Sequence, residues 1–348
     1  MMYMQTAFVT GSTGLLGSNL VRQLASGGVT VRALARDAAK AKAQFSDLDR
    51  RQVEVVVGDL KAPESYRRHL PGATTLYHTA AYFRDSYKGG KHWPELFRTN
   101  VVGTLELLGA AYAAGIRRVV HVSSIAVLGD SRNGLITEDM LQSNLDLVDD
   151  YYRSKIETDR GIRAFMDKHP DMHVSFVLPG WIHGPGDMGP TSAGQFVLDY
   201  MAGRLPGIVD ATVSVVDARD VAQVMIRAAQ AGHNGERYLA AGHALSMGEL
   251  LAAMERVTGV PAPKRAVPKT LLFAVALAQE AWARLTGRPV LLSLATARVI
   301  STDYGRRFSC EKISREFGIK FRALESTLRD EIEWFAATRN AAARSRVG

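Results

Sequence analysis

The sequence predicts an α/β protein: a doubly wound parallel sheet carrying a smaller, mostly helical C-terminal lobe. Three observations predict it. Strand-like and helix-like segments alternate through roughly the first half of the 348 residues. The strand-like runs are almost wholly apolar, as strands covered by helices on both faces are. After Pro179 the rhythm breaks, Gly, Pro and Met become frequent, and helical patterns dominate.

Strands are expected at Thr6–Thr10, Val29–Ala35, Val53–Gly58, Thr75–Thr79, Arg118–Ser123 and His173–Leu178. Leu15-Leu16, Leu20-Val21 and Leu24 recur at helical spacing, and Gly27-Gly28 ends that helix. A long helix is expected from Pro94 to Ala114, closed by Gly115, and another from Tyr151 to Lys168, closed before Pro170. Later helical patterns cover Gln195–Gly203, Asp220–Ala231, Met247–Thr258, Lys269–Leu285 and Ala323–Thr338. One late strand, Val213–Val216, is expected to rejoin the first sheet. The division that follows is a first domain over residues 1–180, with about 208–235 returning to it, and a second lobe over 181–348. No fixed-period repeat interrupts this order.

Composition narrows the classes. Hydrophobic residues at 47% and charged residues at 22% describe an ordinary folded chain rather than a disordered one. The single cysteine, Cys310, excludes an internal disulfide framework and a Cys-rich zinc site, and the nine histidines show no ligand spacing, so no metal is expected. Lys and Arg outnumber Asp and Glu by 43 to 35, a net charge of +8, but the basic residues are dispersed. With no recognition-helix or zinc-finger pattern, that charge suits small anionic ligands better than nucleic acid. The densest late cluster, Arg339–Arg346, reads as a frayed end. The opening Met-Met-Tyr-Met-Gln carries no export signal, so a cytoplasmic location is expected. Leu271–Leu285 is apolar but short and carries Glu280 and Arg284. It is expected as a buried or pocket-lining helix, with shallow membrane contact the alternative and no integral span.

Chemistry concentrates where strands end. The first strand runs into Thr10-Gly11-Ser12-Thr13-Gly14-Leu15-Leu16-Gly17. Strand, G-x-x-G-x-x-G turn and helix together form a cradle for a dinucleotide pyrophosphate: glycines allow a tight turn and close backbone approach, and the helix start offers free N–H groups. About 20 residues on, where an acid would grip a ribose hydroxyl, stands Arg36. A guanidinium there suits a 2′-phosphate, so NADP(H) is preferred; Asp37 could reach a ribose instead and leaves NAD(H) possible. Asp59 closes the third strand and would either accept a bond from an adenine amino group or cap a turn.

Tyr151 and Lys155 stand four residues apart, on one helix face. An ammonium beside a phenol lowers the phenol's pKa and makes it an acid/base group near neutral pH. Tyr152 is the rival phenol, but its i+4 partner is Ile156. Ser123-Ser124 closes the fifth strand and places a hydroxyl where it could hold a carbonyl or alkoxide oxygen.

Glycine turn, serine and Tyr-x-x-x-Lys in this order resemble the extended short-chain dehydrogenase/reductase family, also called the NAD-dependent epimerase/dehydratase family. The likeness covers most of the chain. It runs through TGSTGLLG (Thr10–Gly17), GDL (Gly58–Leu60), HTAA (His78–Ala81), NVVGT (Asn100–Thr104), HVSSIAVLG (His121–Gly129), YYRSK (Tyr151–Lys155), LPGWIHGPGD (Leu178–Asp187) and VVDARDVA (Val215–Ala222). The resemblance implies a Rossmann-type fold. It implies Tyr151 as proton donor and acceptor, and Lys155 as tuner of Tyr151 and holder of the nicotinamide ribose. It implies Ser124 as the catalytic hydroxyl, and Asn100 at a helix bend holding a water near Lys155. For the cofactor it implies Gly11, Thr13, Gly14, Leu15, Gly17, Arg36, Asp59, Leu60, Ala80, Ala81, Pro179 and Ile182. Asp217 and Asp220 are expected to fix the late strand–helix corner. Two branches are similar: dihydroflavonol-reductase-like carbonyl reductases and hopanoid-associated sugar epimerase-like proteins. The second also shares GERYLAAG (Gly235–Gly242), ARLTGRP (Ala283–Pro289) and the pattern from Glu316 to Phe335.

Tyr82, Phe83, Trp181 and His183 follow strand ends and would face a substrate, their aromatic character suiting an apolar one. The expected activity is reduction of a ketone or aldehyde with NADP(H). The alternatives are a nucleotide-sugar epimerase/dehydratase with tightly held NAD, for which Arg204, Arg219 and Arg237 would be the diphosphate clamp, a 3β-hydroxysteroid dehydrogenase-like activity on a sterol, and a cofactor-sensing binding protein. A homodimer through the Asn100 and Tyr151 helices is expected as a possibility of the family.

Overall fold

The structure, a computed structural model, describes residues 5–83, 92–131, 134–145, 148–286, 294, 297 and 305–344. The first half builds β1 (Thr6–Thr10), α1 (Leu15–Ser26), β2 (Thr30–Ala35), α2 (Ala38–Gln44), β3 (Val53–Val57) and β4 (Thr75–His78). Then come α3 (Trp93–Leu96), a π-helical turn over Phe97–Val102, α4 (Gly103–Ala113), β5 (Arg118–Val122), α5 (Asp150–Lys168) and β6 (His173–Pro179). The expected strands and helices of this half are present to within about two residues. The pattern missed the short α2, whose Asp37 cap accepts from Lys40 N–H at 3.0 Å.

The main sheet has seven strands in the order β10-β6-β5-β4-β1-β2-β3, every pair parallel, β10 being Arg237–Ala240. Alternate side chains feed two cores, one per face. Ala7, Val9, Val31 and Ala33 pack under α1, and Phe8, Leu34, Leu76 and Val119 pack on the opposite face with Leu107 and Leu108 of α4. Strand order reverses between β1 and β4, and the crevice at that switch point is where doubly wound sheets bind ligands.

The second half corrects one expectation. The strand around Val213–Val216, β9 (Thr212–Asp217), does not rejoin the main sheet. It lies between β7 (Trp181–His183) and β11 (His243–Ser246) in a separate three-stranded sheet. The strand that returns is β10, beside β6. Two glycines explain the switch. The chain leaves β6 for β7 at Gly180, where a Cβ would lie 2.4 Å from Ser214 O, and leaves β10 for β11 at Gly242, where a Cβ would lie 2.0 Å from Val215 O. Both strands are therefore bent around β9, which only glycine permits at such close approach. The helix after β9, α7 (Ala218–Ala231), does pack back on α1 and the main sheet.

The remaining elements are α6 (Ser192–Met201), β8 (Ile208–Val209), α8 (Met247–Thr258), β12 (Ala266–Val267), α9 (Lys269–Thr286), α10 (Glu311–Phe317) and α11 (Leu324–Arg344). No described helix is long and apolar enough to cross a membrane. Among the described side chains of the expected buried helix, α9, those of Leu272, Ala276 and Glu280 are buried, while Leu271, Leu277, Trp282 and Leu285 are exposed. The expected frayed tail is helical through Arg344; Arg346, like Gly287–Pro289, lies outside the described residues.

Candidate active site

The turn after β1 sits in the switch-point crevice. Gly11 adopts φ +64°, and a Cβ there would meet Ala80 N and Thr79 Oγ1 at 2.7 Å. At Gly17 a Cβ would lie 2.2 Å from Gly11 O. The two glycines thus let the turn fold onto both β4 and its own helix. Gly14 N–H donates to Gly11 O at 3.0 Å, and Gly14 begins α1 with no side chain capping it. The half-exposed Thr13 and exposed Gly14 border a helix start whose N–H groups face outward, the chemistry a pyrophosphate requires. Buried Leu15 seats the helix and the Ser12 hydroxyl ties the turn to Leu34 O at 2.8 Å. These residues fit a dinucleotide.

Arg36 stands exposed at the end of β2, with no ion pair among the described residues. Asp37 spends a carboxylate oxygen on the α2 cap. Asp59 caps a turn, accepting from Lys61 N–H at 2.9 Å, and Leu60 is buried against the Gly103 end of α4. Ala80 borders the glycine turn just past the end of β4, and Ala81 follows it in the chain. Pro179 ends β6, and Ile182 lies in β7.

Tyr151, Lys155 and Ser124 come together at the carboxyl ends of β5 and β6. Asp149 caps α5 by accepting from Tyr152 N–H at 2.7 Å, which sets the start of the helix that carries the pair. Ser124 is half-exposed, accepts from Ala126 N–H at 3.1 Å and hydrogen-bonds the Tyr151 phenol. Ser123 is buried on the other side, toward Asp159. Phe83 meets the Tyr151 ring edge-on at 4.6 Å, an apolar wall beside the phenol.

One expectation needs correction. Lys155 was expected to lower the Tyr151 pKa. Burial instead pushes the phenol well above its ordinary value, Asp149 adds to the rise, and the opposing pull comes from Ser124. Lys155 Nζ stands 6.0 Å from the Tyr151 ring centre and donates to Val122 O at 3.1 Å, and burial brings its ammonium down to about 8. The π-turn bends the helix at Asn100, whose Oδ1 accepts from Tyr82 N–H at 2.7 Å and whose Nδ2 donates to Tyr82 O at 3.1 Å and Ser154 Oγ at 3.0 Å. Asn100 therefore fastens the strand end carrying Tyr82 and Phe83 to the helix carrying Tyr151.

The other substrate candidates separate from this set. His183 is wholly buried and bonds Glu331 of α11 through Nδ1 at 2.9 Å, which makes it a latch between β7 and α11 rather than a substrate contact. Trp181 packs on Phe196 of α6 at 5.3 Å and on His183 at 4.6 Å. Asp217 and Asp220 do fix the corner, holding Arg219 and Arg322. The three candidate clamp arginines are each held by a carboxylate: Arg204 by Asp199, Arg219 by Asp217 and Asp330, and Arg237 beside buried Asp159. Sequence reading missed Ser154, Thr158 and Asp159, although Asp159 follows Lys155 at the same helical spacing that singled out Tyr151.

The comparisons with known proteins bear on this site. The NAD dependent epimerase/dehydratase family matches residues 7–241. The chain belongs to this family. It is accordingly an NAD(P)-dependent enzyme of the extended short-chain dehydrogenase/reductase type. The chain is 35% identical over 332 residues to sterol demethylase protein B of Methylococcus capsulatus, covering 95% of this chain and 98% of that one. It is 30% identical over 333 residues to a putative dihydroflavonol 4-reductase of Synechocystis sp., covering 94% of each. Among solved structures, gox2253 superposes with a TM-score of 0.80 at 28% identity, over 96% of this chain and 98% of that one. UDP-glucose-4-epimerase of Stenotrophomonas maltophila, holding NAD, shares the fold with a TM-score of 0.76 at 20% identity, over 97% and 99% of the chains.

Proposed function

We propose that the protein is an NADP(H)-dependent reductase of an apolar ketone or aldehyde. The observation that carries this reading is the Ser124–Tyr151–Lys155 set with Phe83 against the phenol. The cofactor, held by the Gly11–Gly17 turn, Arg36, Ala80 and Ile182, supplies hydride to the carbonyl carbon. Ser124 holds the carbonyl oxygen. Tyr151, protonated at neutral pH because burial raises it, gives that oxygen a proton. Lys155 keeps a positive charge beside the pair. Asn100 holds the Tyr82–Phe83 wall in register with Tyr151. The reductase names among the relatives support this reading. So does the engagement of Arg204, Arg219 and Arg237 with carboxylates, since a nucleotide-sugar enzyme needs a cation for the diphosphate.

The test has two parts. Purified protein is denatured and its released nucleotide identified, and cofactor-free protein is then titrated with NADPH and NADH. Exchangeable, preferential NADPH binding, followed by turnover of aromatic or aliphatic ketones that Tyr151→Phe abolishes while NADPH affinity survives, is the expected result. Tightly retained NAD(H), or full turnover in Tyr151→Phe, overturns the reading.

A further inference from the structure

The helix α9 turns an apolar stripe away from the protein. Its Leu272, Ala276 and Glu280, four residues apart, are buried. Leu272 and Ala276 cluster with Val209 of β8, Val267 of β12, Leu294 and Ala297. Leu271, Val275, Ala278, Trp282 and Leu285 follow one another at alternating steps of four and three. At about 3.6 residues per turn, those steps set them on the opposite side of the helix. All five are exposed, Leu271 at 51%, Trp282 at 59% and Leu285 at 82%. A single exposed leucine needs no explanation. An unbroken apolar stripe along about 21 Å of helix marks a surface that meets a partner.

The charge around the stripe identifies the partner. From Val257 to Thr302 the chain carries Lys264, Arg265, Lys269, Arg284, Arg288 and Arg298 against a single acid, Glu280. Glu280 is buried, and its Oε1 accepts from Leu294 N–H at 2.9 Å, so the one carboxylate is spent inside. Lys264, Arg265 and Lys269 are exposed where the chain enters the helix. Cations beside an apolar stripe, with no outward carboxylate, are complementary to an anionic lipid surface: phosphates meet the cations, and the acyl boundary takes the stripe. Trp282 adds a ring with one polar edge, of the kind that settles at headgroup level.

Other occupants fit less well. A second copy of the chain would bring the same cations and no acid to pair with them. The chain beyond α9 is engaged elsewhere, because Leu294 and Ala297 rest on the buried stripe. No described helix, α9 included, is long and apolar enough to cross a membrane, and the Leu272–Glu280 side is covered by protein. The helix can therefore only lie along a bilayer.

We propose that α9 seats the protein on an anionic membrane surface, with the Leu271–Leu285 stripe in the headgroup boundary and Lys264, Arg265 and Lys269 against lipid phosphates. The seating needs neither cofactor nor substrate, so its failure and that of the reductase reading are separate events.

Flotation of the full chain tests the proposal. The protein is mixed with vesicles of equimolar phosphatidylcholine and phosphatidylglycerol, or of phosphatidylcholine alone, and the bound fraction is measured. The anionic vesicles should bind the wild type about tenfold better or more, and salt at about 1 M, where charges act over only about 3 Å, should remove most of that advantage. The triple variant Leu271→Gln, Trp282→Gln, Leu285→Gln should lose about tenfold or more in affinity for anionic vesicles with its Tm unchanged, since all three side chains are exposed. The triple variant Lys264→Gln, Arg265→Gln, Lys269→Gln should lose about tenfold to a hundredfold. Phosphatidylcholine brominated on its acyl chains should quench Trp282, a signal identified by its loss in Trp282→Phe. Wild type that floats with neither vesicle, equally with both, or undiminished after the apolar substitutions overturns the proposal. A dimer seen by light scattering that those substitutions dissolve gives the stripe to a second copy and overturns it too. If the apolar variant does not fold, the brominated lipid decides alone: unquenched Trp282 in vesicle-bound wild type overturns the proposal.

Discussion

Gly17→Ala is the sharpest test of the cofactor cradle. The added methyl would lie 2.2 Å from Gly11 O, 2.8 Å from Gly11 C and 2.9 Å from Ser12 Cα. All three are backbone atoms, so no rotamer change relieves the overlap. A carbon–oxygen contact needs about 3.3 Å, so the turn must retreat by roughly 1 Å. It cannot retreat toward β4, because Gly11 is already wedged against Ala80 N. Alanine improves helix propensity by about 1 kcal/mol, whereas overpacking costs about 1–3 kcal/mol, so stability should fall slightly and Tm by a few degrees. Binding should suffer more. An N–H displaced by roughly 1 Å from a phosphate oxygen loses a charge-assisted bond of about 1.5–3 kcal/mol, or about ten- to a hundredfold in Kd for NADPH. The assay is a fluorescence titration with NADPH beside a thermal melt. Gly109→Ala is the matched control: that helical glycine has nothing within 4 Å of a built Cβ, so the change should raise stability by about 0.5–1 kcal/mol and leave binding alone. Wild-type NADPH affinity in Gly17→Ala would refute the assignment of this turn to the pyrophosphate.

Three further outcomes are expected. Arg36→Ala removes an exposed guanidinium with no ion pair among the described residues, and should weaken NADPH binding about tenfold or more while changing NADH binding less than about twofold; equal losses rule out the 2′-phosphate role. Glu331→Ala strands the buried His183 ring and should cost about 1–3 kcal/mol, lowering Tm with NADPH affinity intact; an unchanged Tm means that the pair is no latch. Asp159 binds its proton more tightly folded, at about 6, than unfolded, at 3.8. Its contribution to stability is therefore full below about pH 4 and lost as pH rises through 6, so Asp159→Asn should gain on the wild type across that window by at most about 3 kcal/mol. Melts in which the gap between the two stays flat from about pH 4 to 6 would contradict this.

What could be read from the residues was whatever the chain encodes locally. The glycine turn, the apolar strands and the Tyr151–Lys155 spacing each sit within a few residues of one another, and each lies where expected. The placement of β9 was not legible, because an apolar strand carries no mark of which sheet it joins. What decided it was the close approach of Gly180 and Gly242 to its backbone, a relation between glycines 62 residues apart in sequence. His183 failed for the same reason. Beside Trp181 and after a strand end it reads as a substrate contact, and only Glu331, 148 residues downstream, turns it into a latch.

The Tyr151 pKa was misjudged on different grounds. Helical spacing places a lysine on the same face as a tyrosine, but it says nothing of what else the ammonium meets. In the fold, Lys155 reaches the Val122 carbonyl and shares its ridge with Asp159, and the phenol is left to burial and Ser124. That division of labour has a chemical consequence. A phenol held protonated by burial is set up to donate, and a lysine brought down toward neutrality by the same burial is set up to give its proton up in turn. Such a phenol is set up to give its proton to a carbonyl oxygen, and the reverse oxidation needs higher pH to draw the proton off Tyr151.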